Sequence, residues 1–319
     1  MTDLSLKNWI PYKLTGIGDQ PLCHWLNTFT APFTEPFFDE TILKCIGLNS
    51  KHARTGSVSA IDMINEWADE MDDMEPAAII FHVSRCGSTL VSQHLSMMPE
   101  NIVLSEVPFL DDVLQLPFKD SGFDKDAVNK LFTSTLKFYG GKKGGKEERL
   151  FIKADSWHIF FYEQLRQLYP STPFILMYRR PDEVFASHRK QPGMHAVPGL
   201  IEPAIFGFDE ATPVYDLDIY LANVLERYFE QYLRITANDK NMLLVNYNED
   251  PITIIKKIAA LTGLPLTPEM LQAMGERTRY NAKKPGELFQ KDAKTNTAAC
   301  LDKAMELYQQ LEKIHKETV

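Results

Sequence analysis

The chain has 319 residues, enough for one large α/β domain or two small ones around a well-buried core. Hydrophobic residues make up 44% and charged residues 24%, an ordinary globular balance. The net charge of -9 speaks against a general nucleic-acid or anionic-membrane role, so any anion site is a local exception to an acidic surface.

The N-terminal stretch MTDLSLKNWIPYK is polar and has no apolar signal core, and no apolar run reaches membrane-spanning length. The expectation is a protein with no membrane span, in the cytoplasm. Cys23, Cys45, Cys86 and Cys300 are scattered without a CxxC pair, which suits a reduced compartment and offers no zinc site. The eight histidines form no HxxxH or HExxH pattern, so no metal is expected.

Residues 1–75 are rich in aromatics and prolines, as in WLNTFTAPFTEPFFDETI, and read as an extension packing on the core formed by 76–319. The extension is expected to end in a helix over SAIDMINEWADEM, with Ser59 as its cap. Strand and helix signals then alternate. AAIIFHV (77–83), NIVLSE (101–106), RLFIKA (149–154), PFILMYR (173–179) and NMLLVNY (241–247) are short apolar runs without alternation, as parallel strands buried on both faces require. Helical patterns over about 88–97, 124–138, 156–168, 181–190 and 216–236 separate them. The order predicts an α/β fold: a P-loop-type, doubly wound sheet of about five parallel strands flanked by helices. KFYGGKKGGKEER (137–149) reads as a mobile surface connection. RKQPGMHAVPGLIEPAIFGF (189–208) is long, irregular and rather apolar, and reads equally as a lid or as a structural crossover.

The first expected strand empties into SRCGSTL. Gly87 allows close backbone approach to an anion, and Ser88, Thr89 and Leu90 open a helix whose amides and dipole favour negative charge. Cys86 contributes its amide and its small size. The usual nucleotide loop reads GxxxxGK[ST]; here the cation precedes the glycine as Arg85 and no lysine follows. None of the five strands ends in the Asp that would hold Mg²⁺ in a nucleotide hydrolase or kinase. Taken alone, SRCGST fits a capped turn as well as an anion loop.

Three further strand ends carry charge. Arg179 follows PFILMY, with Pro181 at the first turn of the next helix and Ser187 two helical turns along, so Arg179 and Ser187 can face one phosphate. The competing reading pairs Arg179 or Arg180 with Asp182 or Glu183. Glu106 closes the second strand, where a carboxylate can accept a proton from a substrate hydroxyl, and Lys153 ends the third, where it can neutralise a transferring group.

These residues resemble the sulfotransferase superfamily. SRCGSTL resembles the loop for the 5′-phosphosulfate of 3′-phosphoadenosine 5′-phosphosulfate. RRPDEVFAS is similar to the 3′-phosphate motif, matching at Arg179, Pro181 and Ser187. LLVNYNEDPITIIKKIAALTGLPLTPE resembles a later family segment, with Asn248 in place of the glutamate after Tyr247. The likeness covers about residues 77–270 and is nearest to the branch with Arg in the first loop and a glutamate base, which includes the tyrosylprotein sulfotransferases. Glu106 stands 21 residues after Arg85 as that branch requires, and Lys153 in IKAD looks like its K-D-P lysine with Ala154 intervening. RTRYNAKKPGELFQKD (277–292) has the look of the family's closing loop; Arg279, Lys283 and Lys284 either reach the 3′-phosphate or form a solvated basic loop.

The resemblance implies metal-free transfer of a sulfuryl group to a hydroxyl acceptor, releasing adenosine 3′,5′-bisphosphate. Glu106, Arg85 and Lys153 would be catalytic. Arg85, Cys86, Gly87, Ser88, Thr89, Leu90, Arg179 and Ser187 would bind the nucleotide. The partners are then that nucleotide and a hydroxyl-bearing acceptor. Two rivals stay open: a P-loop small-molecule kinase, and a nucleotide-binding protein without catalysis.

Overall fold

In the computed structural model, residues 6–52, 56–142, 145–209, 212, 215–284, 286–289 and 298–318 are described. In chain order the elements are β1 (Trp9–Thr15), β2 (Leu22–Asn27), α1 (Phe38–Lys51), β3 (Ser57–Ala60), α2 (Met63–Trp67), β4 (Pro76–His82), α3 (Ser88–Ser96), β5 (Asn101–Ser105), α4 (Pro108–Lys119) and α5 (Lys125–Gly140). There follow β6 (Arg149–Lys153), α6 (Tyr162–Leu168), β7 (Phe174–Tyr178), α7 (Pro181–Lys190), α8 (Leu217–Asn238), β8 (Met242–Asn246), α9 (Pro251–Thr262), α10 (Pro268–Arg277) and α11 (Asp302–Thr318). The five expected parallel strands are β4 to β8, each within a residue or two of its expected limits. They form one sheet in the order β5-β6-β4-β7-β8, flanked by helices.

Contacts divide the chain into two units, one of Met1–Ala77, Ser92–Ala154 and Gln164–Pro170, the other of Ala78–Val91, Asp155–Glu163 and Ser171–Val319. In the first unit, β5 and β6 run parallel with Asn101 beside Arg149 and Ser105 beside Lys153. The N-terminal segment there builds an antiparallel sheet, β1-β2-β3, with an irregularity between Pro11 and Lys13 where proline has no N–H for the ladder. Its aromatics pack on α5: Trp25 meets Phe138 edge-on at 4.9 Å, and the Tyr139 hydroxyl donates to the Pro11 carbonyl.

That sheet corrects the reading of 59–71 as one helix. Ser59 lies in β3 and its hydroxyl accepts from the Trp25 indole at 2.9 Å, so it caps nothing. The helix starts at Met63, and Asp62 before it makes no side-chain cap. Helices α1, α4, α10 and α11 escaped the sequence reading. In α1 the buried Phe38, Ile42, Cys45 and Asn49 keep helical spacing inside the proline-rich stretch, and in α4 Pro117 near the C-terminal end masked the pattern. The expected loop at 137–149 begins later, because α5 runs to Gly140; residues 143–144 lie outside the described residues.

In the second unit β7 pairs in parallel with β4 on one side and with β8 on the other. Expected helix 156–168 is a 3₁₀ turn (Ser156–Phe161), opened by the Asp155 carboxylate on the Ser156 amide, followed by α6. The 189–208 segment is neither open nor extended. It folds into short turns at Met194–Ala196 and Pro203–Phe206 and buries His195, Ala196, Ile201, Ile205 and Phe206. Phe206 meets Phe160 edge-on at 5.3 Å.

Candidate active site

The turn after β4 is a backbone device. Ser84, Arg85 and Gly87 have φ of 65°, 52° and 82°. Successive left-handed residues curl main-chain amides inward, a concavity suited to an anion, and they lead directly into the N-terminus of α3. For Ser84 and Arg85 this conformation costs about 1–3 kcal/mol each, a cost that persists where the surroundings enforce it. The Ser84 amide donates to His82 Nδ1 at 3.0 Å, and buried Cys86 donates its thiol to the Met177 carbonyl at 3.5 Å. Gly87 is required twice over: its φ is left-handed, and a Cβ would lie 3.2 Å from the Tyr247 ring. Ser88 and Thr89 are buried at the head of α3, while the Leu90 amide donates to the Gly87 carbonyl at 3.0 Å to close the first turn.

Arg179 is bound to this turn. Its Nη1 donates to the Arg85 carbonyl at 3.0 Å and its Nε to Glu183 at 2.7 Å, while the guanidinium carbon stands 4.1 Å from the centre of the Tyr247 ring. Tyr247 therefore touches both Gly87 and Arg179. Neither of these two bonds uses Nη2 of Arg179. Arg180 forks onto Asp182 through Nε and Nη2 at 3.1 and 2.7 Å. The salt-bridge reading thus holds for Arg180, and Arg179 combines an ion pair with a grip on the loop. Ser187, half-buried on α7, accepts the Gln191 amide on its carbonyl at 3.1 Å. The Arg85 guanidinium donates through Nη2 to the Gln191 carbonyl at 2.7 Å.

The remaining two predicted residues form a pair in the first unit. Glu106 follows β5 with φ 55°, and its amide donates to the Lys153 carbonyl at 2.8 Å. The Lys153 ammonium, with no exposed side-chain surface, pairs with the Glu106 carboxylate, which is 20% exposed. A lysine so buried requires a partner charge, and Glu106 supplies it while keeping an open edge. The Lys153 ammonium also stands 5.3 Å from the centre of the Phe37 ring. Carboxyl groups near Glu106 feel its charge. Burial first, then Glu106, push the Asp111 carboxyl well above the ordinary range, and the same two causes raise Asp39.

Arg279, Lys283 and Lys284 are exposed, Lys284 with Glu287 at 3.6 Å. Pro285 and the end of the expected closing loop, 290–292, lie outside the described residues. Among the described residues no cluster of three His, Cys, Asp or Glu could hold a metal ion, and no helix is long and apolar enough to cross a membrane. Sequence reasoning treated Tyr247 only as a landmark and missed Gln191. An aromatic directly after β8 was a usable signal for the first; the second acts through a main-chain carbonyl, which no residue type announces.

A parallel sheet flanked by helices, with a left-handed turn opening a helix after β4, defines an α/β protein. Residues 75–313 match the family model described as a sulfotransferase domain, and the chain belongs to that family. Solved structures similar to it include sulfotransferase STF9 from Mycobacterium avium, with 14% identity, 81% of this chain and 79% of that one covered, and a TM-score of 0.49. The sulfotransferase domain of the Synechococcus PCC 7002 olefin synthase matches with 14% identity, 76% and 96% covered, and a TM-score of 0.46. Mouse sulfotransferase SULT7A1 complexed with PAP matches with 11% identity, 82% and 90% covered, and a TM-score of 0.39. None of the curated proteins matches the chain.

Proposed function

We propose that the protein transfers a sulfuryl group from 3′-phosphoadenosine 5′-phosphosulfate to a hydroxyl acceptor without a metal ion, working in the cytoplasm. The left-handed Ser84–Gly87 turn, anchored by Arg179 at the head of α3, is the observation that carries this reading: it suits a phosphate and leaves the charge to arginines.

The donor supplies an activated sulfur whose bond to the phosphate oxygen breaks as the acceptor oxygen bonds to it. The residues of this chain do the rest. The turn and the start of α3, from Cys86 to Leu90, hold the 5′-phosphate. Arg179 and Ser187 hold the 3′-phosphate. Glu106 takes the proton of the acceptor hydroxyl, its carboxylate kept in register by Lys153. Arg85 and Lys153 stabilise the charge that gathers on the bridging and equatorial oxygens, and the bond electrons depart with the bisphosphate.

The test is transfer of label from the ³⁵S-labelled donor to a panel of alcohols and phenols in EDTA. Metal-independent transfer, lost in Glu106→Gln with bisphosphate binding retained, is expected. Phosphoryl transfer from ATP that depends on Mg²⁺, with no sulfuryl transfer, would overturn the reading.

A further inference from the structure

We propose that the buried imidazole pair His188–His195 is a positioning element for Arg85, acting through the main-chain carbonyl of Gln191. The proposal rests on the sulfuryl-transfer reading for what Arg85 does, and on the geometry for how Arg85 is held.

The hydrogen bonds fix the proton on each ring. The Gly193 amide donates to His188 Nδ1 at 3.1 Å, so that nitrogen is the acceptor and a neutral ring carries its proton on Nε2. His188 Nε2 lies 3.2 Å from His195 Nε2, which therefore accepts. The proton of His195 is then on Nδ1, 3.1 Å from Ser156 Oγ, which also accepts the Tyr228 hydroxyl at 3.1 Å. The rings meet edge-on with centroids 4.7 Å apart. Burial first, then the nearby Arg85 and Lys283 cations, pull His188 down to about 3, so the chain of bonds runs through neutral imidazoles.

Ser156 with His195 looks like a nucleophile and its base, but both residues are buried and their bonds run on to Tyr228 and His188, the arrangement of a structural network. What the network touches is the strap leaving α7. Gly193 sits between the rings, where a Cβ would stand 3.1 Å from Cε1 of each. Two residues earlier, Gln191 caps α7 on the Ser187 carbonyl and accepts the Arg85 guanidinium. Only Pro192, with its fixed φ, separates Gln191 from Gly193. Tyr228 and Ser156 thus hold His195, the two rings hold Gly193, and the strap aims the Gln191 carbonyl at Arg85. Misplacing a charge-stabilising group by about 1 Å costs on the order of 100-fold in rate, so such a mount is consequential.

A double-mutant cycle tests it with the labelled donor and whichever acceptor the panel identifies. His188→Leu removes the acceptor for Gly193 and is expected to lower kcat by about 30–100-fold with the donor KM within about 3-fold. His188→Asn keeps an oxygen near the place of Nδ1 and is expected to recover to within about 5-fold of wild type. Arg85→Ala with His188→Leu is expected to be no slower than Arg85→Ala alone, within about 3-fold. Losses that multiply, or an Asn variant as slow as the Leu variant, would overturn the proposal. Should His188→Leu not fold, Gly193→Ala, which wedges a methyl between the rings, takes its place in the cycle.

An NMR readout separates this claim from the reaction itself. The Arg85 Nε–H resonance, assigned by its loss in Arg85→Ala, is expected to shift in His188→Leu and hold in His188→Asn. An unmoved resonance in His188→Leu overturns the positioning role. A shifted resonance in a protein with no sulfuryl transfer keeps the positioning role and overturns the sulfuryl-transfer reading alone.

Discussion

The turn after β4 and the Glu106–Lys153 pair are built on opposite plans. At Ser84–Gly87 the backbone does the work: three residues are left-handed, and side chains serve mainly to hold the turn in place. At Glu106–Lys153 the side chains do the work, one wholly buried ammonium against one carboxylate with an open edge. A backbone device tolerates many side chains and fails only where φ or space forbids the new one. A buried charge pair tolerates no loss of charge, because the survivor is left uncompensated in a poor solvent for it.

The largest effects are therefore expected at the pair. Glu106→Gln should lower turnover by about 100- to 10,000-fold, the range for removing a general base, with bisphosphate affinity changed by less than about 3-fold. Lys153→Ala should cost about 3–5 kcal/mol of stability by urea unfolding, the penalty for breaking a buried pair. A loss below about 1 kcal/mol would place this pair with ordinary surface ion pairs. At the turn, Gly87→Ala should cost about 1–3 kcal/mol and weaken bisphosphate binding at least 10-fold, whereas Ser88→Ala should change binding less, because the main chain and not the hydroxyl defines the concavity. Calorimetry and thermal unfolding of the two variants compare them directly.

The His188 strap adds a pH test of the side-chain plan. His188 sits at about 3 in the folded chain against about 6.5 unfolded, so between those values the unfolded state binds the extra proton. Its contribution is complete above pH 6.5 and falls as the pH drops toward 3, by about 1.4 kcal/mol per unit. The charges it faces are Arg85 and Lys283, with His195 against its ring. Unfolding midpoints of His188→Asn should lose that part of the slope, and an unchanged slope would mean that His188 is not held neutral. The smallest effect on binding belongs to Arg180, whose guanidinium is 43% exposed and paired with the buried Asp182: Arg180→Ala should leave bisphosphate binding unaltered in the same calorimetry.

How much of this was legible in the sequence follows from the same contrast. The five parallel strands announced themselves because burial on both faces leaves continuous apolar runs. The strand–turn–helix after β4 was legible because its backbone requires Gly87 and its helix favours Ser88 and Thr89. Charged residues at strand ends pointed to Arg85, Glu106, Lys153 and Arg179, but not to their bonds. That Arg179 grips the Arg85 carbonyl, or that Lys153 is wholly buried against Glu106, depends on residues 94 and 47 positions apart. The His188–His195 strap was illegible for the same reason: Ser156 and Tyr228 lie far from it in the chain, and its last link is a carbonyl. The N-terminal sheet was missed because prolines and aromatics obscured the alternation in β1 and β2, and because Ser59, a good helix cap by type, serves the Trp25 indole instead.

The most direct test of the central claim is a calorimetric titration of adenosine 3′,5′-bisphosphate in EDTA into wild type and Arg179→Ala, with ATP as the control. Tight metal-free binding of the bisphosphate by the wild type, lost in Arg179→Ala and not matched by ATP, is the predicted result. Equal weak binding of both nucleotides, or bisphosphate binding that survives Arg179→Ala unchanged, would contradict the account.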